Sequence, residues 1–304
     1  MIQCLDKSYS TTRQVTTNEP VFKKKENKFK SVKYLPEDEN RQGEGGLRKQ
    51  GYYKINLPDK PLITIITVVY NGDQHLEESI LSVINQSYEN VEYIVIDGGS
   101  SDKTLDIIRK YENAIDYWVS EKDKGIYDAM NKGLDVMTGE WVNFMNADDS
   151  FENENVLESL LTPFTNNALG LIFGNIRFDT GKIFYSSLNI GTYLANTVHH
   201  QAAFYNKSIF ASYRYNTEFK ISADYDLNLK IYLNGLNYHV FDKCIASCRE
   251  GGVSRIMLWQ AYKETNAVRN QNITRGGFAY QLLYTVKFLM SVIKDVFYKP
   301  CANS

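Results

Sequence analysis

The regular alternation of strands and helices after Pro61 constrains the fold more than any other feature of this sequence. The run L-I-T-I-I-T-V-V-Y, residues 62–70, is apolar and rich in β-branched side chains, which is typical of a parallel strand buried on both faces. Residues 75–86 then place apolar side chains at helical spacing. The same order of strand and helix repeats through residues 91–97, 102–111, 115–120, 126–137 and 141–146. This order predicts a doubly wound, mostly parallel sheet with helices on its faces.

Polar side chains follow three of these predicted strands. They are Tyr70-Asn71, Asp97-Gly98-Gly99-Ser100 and Asn146-Ala147-Asp148-Asp149. Because the carboxyl ends of parallel strands meet at one edge of a sheet, we expect these residues to lie together, joined by the loop at 120–128. Ligands of such sheets bind at this edge.

Two adjacent carboxylates, Asp148 and Asp149, end a strand that is otherwise apolar, and residues 141–150 contain no Lys or Arg. Carboxylates held close together repel unless a cation lies between them. Mg²⁺ and Mn²⁺ bind carboxylates together with substrate phosphates, so a divalent metal site is one interpretation, and a solvated turn is the other. Neither a G-x-G-x-x-G motif nor a phosphate-binding G-x-x-x-x-G-K-[ST] motif is present.

The bulk composition narrows the functional class. A net charge of −2 gives no overall basic field for nucleic acid. The four cysteines match no zinc pattern and suit a reducing cytosol. The first residues lack the apolar run of a secretory signal, and no stretch reaches about 18 apolar residues. We therefore expect a cytoplasmic protein.

The two ends of the chain differ from its middle. Residues 1–50 are polar and rich in lysine, so we expect a disordered or loosely attached arm over residues 1–60. Residues 256–304 are expected to form a helical tail. Within it, 276–298 combines apolar, tyrosine and lysine side chains at helical spacing. This pattern fits either a helix at the membrane surface or a helix packed on the protein or a partner subunit.

Four motifs carry a resemblance to a known family. In order they are T-V-V-Y-N, V-I-D-G-G-S-S-D-K-T, S-E-K-D-K-G-I-Y-D-A-M-N-K-G and N-A-D-D. Over roughly residues 62–255 the chain resembles the family-2 glycosyltransferases of the GT-A fold. The resemblance implies a Rossmann-like, mostly parallel mixed sheet in a catalytic domain at 61–255, with a nucleotide-binding half at 61–150 and an acceptor half at 151–255.

The same resemblance implies an activity. Such an enzyme moves a sugar, with inversion, from a nucleotide-diphosphate donor to a hydroxyl of a glycan or lipid-linked acceptor. A UDP-sugar is the favoured donor, and Mg²⁺ or Mn²⁺ is the implied cofactor. Family members typically build bacterial O-antigens, capsules and exopolysaccharides, which makes association with the inner face of the membrane a further expectation.

The resemblance also assigns donor-binding residues. They are Thr67, Tyr70, Asn71, Asp97, Gly98, Ser100, Asp123, Gly125, Tyr127, Asp128, Asn146 and Ala147. Asp97 matches the acidic residue at the base and ribose, whereas Gly98 stands where the family often has a second aspartate. Asp148 matches the metal-binding position of the family's D-x-D motif, with Asp149 as its acidic neighbour. Asn146 replaces the first aspartate of that motif.

Asp224 is the candidate general base. It stands just before a predicted helix, where a helix cap is the other interpretation. The family pattern makes it the base in preference to Asp226. His200 belongs to an H-Q-x-x-F pattern that places it near the donor phosphates or the acceptor. A second functional class, a non-catalytic nucleotide-sugar-binding or scaffold subunit, is favoured by Asn146 and Gly98.

Overall fold

The structure is a computed structural model of the 304-residue chain and describes residues 2–20, 32–251, 257–273, 282–283 and 285–286. Its strands are β1 (Ile2–Gln3), β2 (Val15–Thr16), β3 (Gly43–Gly45), β4 (Ile63–Val69), β5 (Val91–Asp97), β6 (Tyr117–Ser120), β7 (Trp141–Asn146), β8 (Ser150–Phe151), β9 (Leu171–Phe178), β10 (Ile183–Phe184), β11 (Ala203–Asn206) and β12 (Tyr238–Cys248). Its α-helices are α1 (Ser10–Arg13), α2 (Leu76–Ile84), α3 (Thr104–Lys110), α4 (Ile126–Val136), α5 (Val156–Ser159), α6 (Leu161–Phe164), α7 (Ala223–Leu233) and α8 (Leu258–Asn272). Short 3-10 helices occupy Leu47–Gln50, Glu112–Ala114, Ile190–Tyr193, His200–Ala202 and Lys207–Ala211.

A ten-stranded mixed sheet forms the centre of the molecule. Its strand order is β3-β6-β5-β4-β7-β11-β9-β12-β8, and β10 pairs with β9. The four central strands β6, β5, β4 and β7 run parallel, while β11 joins β7 and β9 by antiparallel pairing. The predicted doubly wound, mostly parallel sheet flanked by helices is therefore confirmed.

The apolar pattern explains why this sheet forms. Every residue of β4 and β5 is buried, as expected for strands covered on both faces. In α2 the buried side chains include Leu76, Ile80 and Val83, which are the positions that helical spacing predicted. Two hydrophobic clusters cover the sheet, with alternate residues of β4 in each. Because the four central strands between these clusters run parallel, their carboxyl ends lie at one edge of the sheet.

The N-terminal segment differs from the expected loose arm. Strand β3 pairs with β6 at the edge of the main sheet. The hydroxyls of Ser10 and Thr11 donate to the buried carbonyls of Val83 and Ala114, at 3.0 Å and 2.7 Å. Part of the polar composition that suggested disorder thus belongs to buried groups with hydrogen-bond partners, and such groups stabilise a fold. The expectation is thus corrected for residues 2–20 and 32–60, while the lysine-rich run at 23–30 lies outside the described residues.

The described part of the C-terminal region packs partly on the domain. In α8, the buried Glu264 accepts hydrogen bonds from the backbone N–H groups of Lys220, Ile221 and Ser222, just before α7. Of the segment 276–298 the structure describes only 282–283 and 285–286, which are helical, and the rest of that prediction lies outside it. Among the residues described, no helix has both the length and the apolarity needed to cross a membrane.

Candidate active site

Hydrogen bonds tie together the loops that follow β4 and β5. The N–H of Asn71 donates to the Ser100 hydroxyl at 2.8 Å, and the N–H of Ser101 donates to the Asn71 side-chain oxygen at 2.9 Å. Asn71 adopts a φ of 50°, a left-handed conformation that asparagine tolerates better than most residues. Tyr70 is 67% exposed at the end of β4. As expected, the two strand ends form one rim, with an aromatic ring open to solvent.

Two residues predicted to contact the nucleotide are buried beneath this rim. Thr67 is fully buried and accepts a hydrogen bond from the Tyr93 hydroxyl at 3.1 Å. Asp97 is fully buried as well, and its carboxylate accepts hydrogen bonds from the N–H and hydroxyl of Ser100 and from the hydroxyl of Ser120. In this structure Asp97 therefore holds the turn after β5 together.

The loop after β6 carries Asp123 to the same rim. Its Oδ1 accepts the N–H of Gly125 at 2.8 Å, and a Cβ atom at Gly98 would lie 2.6 Å from its Oδ2. Burial raises the pKa of Asp123 against the effects of the Gly125 N–H and the Lys132 charge, and the nearby carboxylates of Asp128 and Asp97 raise it further. Asp128 caps the same loop by accepting the N–H of Lys124 at 3.1 Å.

Arg41 and Glu121 support this loop, and sequence reasoning did not identify them. The buried carboxylate of Glu121 forms ion pairs with Arg41 at 2.7 Å and with Lys132 at 2.8 Å. Arg41 comes from the segment that was expected to be loose. No sequence motif marks it, because its partner lies 80 residues away.

The two neighbouring aspartates after β7 differ in their surroundings. Asp148 is exposed, whereas Asp149 is buried and accepts hydrogen bonds from Gln201 Nε2 at 2.8 Å and from Asn146 Nδ2 at 3.2 Å. Burial and the charge of Asp148 raise the pKa of Asp149 to about 6, although the Gln201 hydrogen bond opposes this. Ala147, which stands between Asn146 and Asp148 in the sequence, is buried as well. Asp148 therefore carries the solvent-facing carboxylate of the pair.

This arrangement fits a metal site that the substrate completes. No group of three or more His, Cys, Asp or Glu side chains in the described part of the chain is arranged to hold a metal ion. Mg²⁺ and Mn²⁺, however, commonly take only one or two protein carboxylates, and phosphate oxygens and water supply the remaining ligands. The exposed carboxylate of Asp148 meets that requirement, because it lies at the strand edge where a diphosphate would bind.

Asp224 lies in the first turn of α7, and three donors and a histidine ring nitrogen surround its carboxylate. Oδ1 accepts from the Tyr127 hydroxyl at 3.1 Å and from the N–H of Tyr225 at 2.8 Å. Oδ2 accepts from Asn196 Nδ2 at 2.9 Å and lies 3.4 Å from His200 Nδ1. Ser222 is the N-cap of this helix, so capping does not explain Asp224.

His200 connects this carboxylate to the end of β7. Its second ring nitrogen, Nε2, lies 3.4 Å from the side-chain oxygen of Asn146. One imidazole therefore spans the distance between Asp224 and the segment that carries Asp148. Asp226 is directed elsewhere, because its buried carboxylate accepts from Lys230 Nζ at 2.6 Å and from the Tyr213 hydroxyl at 3.1 Å.

Tyr127 is placed differently from its motif expectation, and Asn196 and Arg249 were not among the predicted site residues. The ring of Tyr127, expected to close over the donor, is buried against Tyr215, and its hydroxyl faces Asp224. Asn196, which no motif marks, holds Asp224 and is itself fixed by Asn228 Nδ2 at 2.9 Å. Arg249 pairs with Glu78 at 2.8 Å.

The chain matches a known protein family and is similar in sequence to named relatives. The model of a protein family described as glycosyl transferase family 2 matches residues 64–226, which is more than half of the chain. A PGL/p-HBAD biosynthesis glycosyltransferase of Mycobacterium bovis is 28% identical over 218 residues, covering 65% of this chain and 81% of the relative.

Solved structures show the same fold. TarS 1–349 of S. aureus in complex with UDP has a TM-score of 0.60 and 18% identity, covering 78% of this chain and 75% of TarS 1–349. The mannosyltransferase PcManGT of Pyrobaculum calidifontis, in complex with GDP-Man and Mn²⁺, has a TM-score of 0.59 and 17% identity, covering 83% and 79%. The resemblance inferred from the motifs is confirmed: the chain belongs to glycosyl transferase family 2 and is a glycosyltransferase with the GT-A fold.

Proposed function

We propose that this glycosyltransferase transfers a sugar, with inversion, from a nucleotide-diphosphate donor to an acceptor hydroxyl, using Asp224 as the general base. The observation that supports this most directly is the position of His200. Its two ring nitrogens lie 3.4 Å from Asp224 and 3.4 Å from Asn146. This imidazole therefore lies between the candidate base and the candidate diphosphate-binding segment, which places the two close together, as a displacement at the sugar carbon requires.

The carboxylate of Asp224 would take the proton from the acceptor hydroxyl as that oxygen attacks the sugar carbon. The bond between this carbon and the diphosphate breaks on the opposite face, which inverts the configuration. A positioned base of this kind contributes roughly 10²–10⁴-fold to a rate. Tyr127 and Asn196 orient the carboxylate through their hydrogen bonds.

On the donor side, Asp148 would hold Mg²⁺ or Mn²⁺, with Asp149 behind it fixing the segment. The cation, when bound, supplies positive charge beside the oxygens of the departing diphosphate. Tyr70, Asn71, Gly98, Ser100, Asp123, Gly125 and Asp128 would line the nucleotide site at the ends of β4, β5 and β6. We favour a UDP-sugar as donor, which agrees with the UDP complex of TarS, although PcManGT was solved with GDP-Man.

The acceptor is proposed to be a glycan or a lipid-linked glycan in bacterial polysaccharide or glycolipid assembly, such as O-antigen, capsule or exopolysaccharide. The Mycobacterium bovis relative, named for PGL/p-HBAD biosynthesis, supports a role in glycoconjugate assembly. Residues 255–304 carry 7 Lys and Arg against 2 Asp and Glu, and Leu282, Leu283 and Val286 are exposed. Both features support contact of this region with the inner face of the membrane.

A donor screen followed by two matched variants tests the proposal. Thermal unfolding with UDP- and GDP-sugars and Mn²⁺ identifies the donor, because a ligand that binds only the folded state raises the melting temperature. With that donor and membrane-extracted acceptor lipids, Asp224→Asn is expected to lower release of the nucleoside diphosphate by roughly 10²–10⁴-fold. Asp226→Asn makes the same change two residues further along α7, at a carboxylate that contacts Lys230 and Tyr213, and is expected to retain activity. Full activity of a folded Asp224→Asn protein would remove the base assignment.

Metal dependence is tested separately. Chelation by EDTA and the change Asp148→Ala are each expected to abolish transfer, and added Mn²⁺ is expected to restore only the chelated wild type. Because Asp148 is exposed, the Asp148→Ala protein is expected to fold like the wild type, and circular dichroism checks its folding. Undiminished transfer in EDTA would exclude the metal.

The alternative of a non-catalytic subunit is favoured by two features, the amide of Asn146 in place of the first D-x-D carboxylate and Gly98 in place of the family's second aspartate. Such a protein would bind the donor and release no nucleoside diphosphate with any acceptor fraction. Membership in a family of glycosyltransferases argues for the enzyme.

A further inference from the structure

The rim formed by the ends of β5 and β6 contains two carboxylates in contrasting surroundings. Both oxygens of the buried Asp97 already accept hydrogen bonds, from Ser100 and Ser120. Asp123 is only half-buried, and its Oδ1 accepts the N–H of Gly125 at 2.8 Å. Within the described residues no donor reaches Asp123 Oδ2. An acceptor oxygen is therefore available on Asp123 and not on Asp97.

Gly98 explains how Asp123 reaches this position. A Cβ atom at residue 98 would lie 2.6 Å from Asp123 Oδ2, which is closer than atoms of two side chains can approach. The family often has an aspartate at this point of the motif, and the loop carboxylate here occupies the space where that side chain would start. The rim keeps one carboxylate beside the strand end, but it comes from the loop after β6.

The loop that carries Asp123 is held firmly. Glu121 forms ion pairs with Arg41 at 2.7 Å and Lys132 at 2.8 Å, and the N–H of Gln42 donates to the Ser120 carbonyl at 2.8 Å. Tyr70, which is exposed, directly follows β4, the strand that pairs with β5. An aromatic ring together with a fixed acceptor is a combination that proteins use to bind a nucleobase, by stacking on its face and hydrogen bonding at its edge.

We propose that Asp123, rather than Asp97, recognises the base of the donor nucleotide by accepting a hydrogen bond from a ring N–H. This inference rests on the proposed function. Uracil and guanine carry a ring N–H on the Watson–Crick edge, whereas cytosine and adenine present a nitrogen lone pair there. A carboxylate that faces this ring nitrogen attracts the first two bases and repels the lone pair of the other two. Asp123 therefore selects UDP or GDP over CDP and ADP.

Isothermal titration of the full chain with UDP, GDP, CDP and ADP, in the presence of Mn²⁺, tests this selection. The wild type is expected to bind UDP or GDP at least roughly tenfold more tightly than CDP and ADP, since a hydrogen bond to a charged group changes an affinity by at least that factor. The better of the two identifies the base. Asp123→Asn is expected to lose most of this preference. Asp106→Asn, an exposed position in α3 with the same change of charge, is expected to keep it.

Three results would overturn the inference. Retained selectivity in Asp123→Asn would exclude Asp123 as the reader of the base. An equal loss of affinity for all four nucleotides would indicate a contact to the ribose, which they share. If the wild type binds none of them, the proposed function fails together with this inference.

Two further variants test the other carboxylate positions of the rim. Gly98→Asp combined with Asp123→Ala, which removes the atoms that a Cβ at residue 98 would meet, moves the carboxylate to the strand end, and this double variant is expected to recover the preference for UDP or GDP. Asp97→Asn is expected to keep the preference, with a lower melting temperature because the serine hydroxyls lose a charged acceptor. Loss of selectivity in a folded Asp97→Asn protein would instead assign the base contact to Asp97.

Discussion

At the scale of single residues, the candidate base is defined by its donors. Its identity as an acidic residue before a helix followed from the sequence and the family pattern, but its partners did not. Tyr127 lies 97 positions from Asp224 along the chain, and Asn196 lies 28 positions away. A motif reports the types of residue at fixed spacing, whereas the partners of a carboxylate depend on how distant segments pack.

Tyr127→Phe tests the contribution of one such donor. The ring stays stacked on Tyr215, whose centroid lies 5.5 Å away, so the fold is expected to persist. The Asp224 carboxylate loses one of the hydrogen bonds that orient it. We expect a loss in kcat/KM of roughly tenfold.

Tyr215→Phe is the matched control, since the buried Tyr215 hydroxyl has no hydrogen-bond partner among the residues described. It is expected to leave kcat/KM unchanged and to be neutral or slightly stabilising. Equal values of kcat/KM for both variants would show that the Tyr127 hydroxyl does not act on Asp224.

At the scale of secondary-structure elements, strands and helices were predictable wherever the apolar pattern decides them. Strands β4 and β5 and helix α2 follow directly from buried apolar runs and helical spacing. Strand β3 was not predictable, because G-E-G carries no hydrophobic pattern. It is held instead by backbone pairing with β6 and by buried polar contacts that follow it.

The main such contact is the buried ion pair between Arg48 and Glu92, at 2.6 Å. Although burial opposes the charge of Glu92, Arg48 and hydrogen bonds from Thr138 and Thr64 lower its pKa. Arg48 also donates to the Val136 carbonyl at 2.7 Å. The residue therefore joins the N-terminal segment to β5 and to the end of α4.

Arg48→Met is expected to destabilise the protein by about 3–5 kcal/mol, because it leaves the buried Glu92 carboxylate without its cation. Urea unfolding at pH 7 measures the change. Lys49→Met, one residue further, removes a half-exposed partner of Glu44 and is expected to cost less than about 1 kcal/mol. Similar values for the two variants would mean that the N-terminal segment contributes little to the fold.

At the scale of the whole molecule, the sequence predicted the parallel strands of residues 61–150 better than the arrangement of residues 151–255. In the parallel half, topology follows from alternation, so the strand ends and their polar residues were placed correctly at one edge. Strand β11 runs antiparallel to both β7 and β9, β12 runs parallel to β9, and no local pattern specifies these pairings. His200 lies just before β11 and Asp224 lies in α7, between β11 and β12, so their positions depend on these pairings. The pairing of β11 with β7 joins the two parts of the chain in one sheet.

His199 lies shortly before β11 and packs against β9 and β10, and its pKa connects this packing to pH. Its ring meets Phe184 edge-on at 4.6 Å and Phe178 at 6.4 Å. Burial, together with the neighbouring His200, lowers the pKa of His199 to about 4, and the charge of Asp224 only partly offsets this. The unfolded chain, in contrast, binds this proton below about pH 6.5.

Protonation between these two values therefore favours the unfolded state. The contribution of His199 to stability is complete above about pH 6.5 and is lost as the pH falls towards 4. Lowering the pH from 7 to 5 is expected to cost the wild type about 2 kcal/mol more than His199→Leu, measured by urea unfolding at each pH. His239→Leu, at an exposed position, is expected to show the pH dependence of the wild type. If the free energy of unfolding fell equally with pH for the wild type and His199→Leu, the charged imidazole would be tolerated at its site. The packing of the His199 ring would then not set the acid sensitivity of the fold.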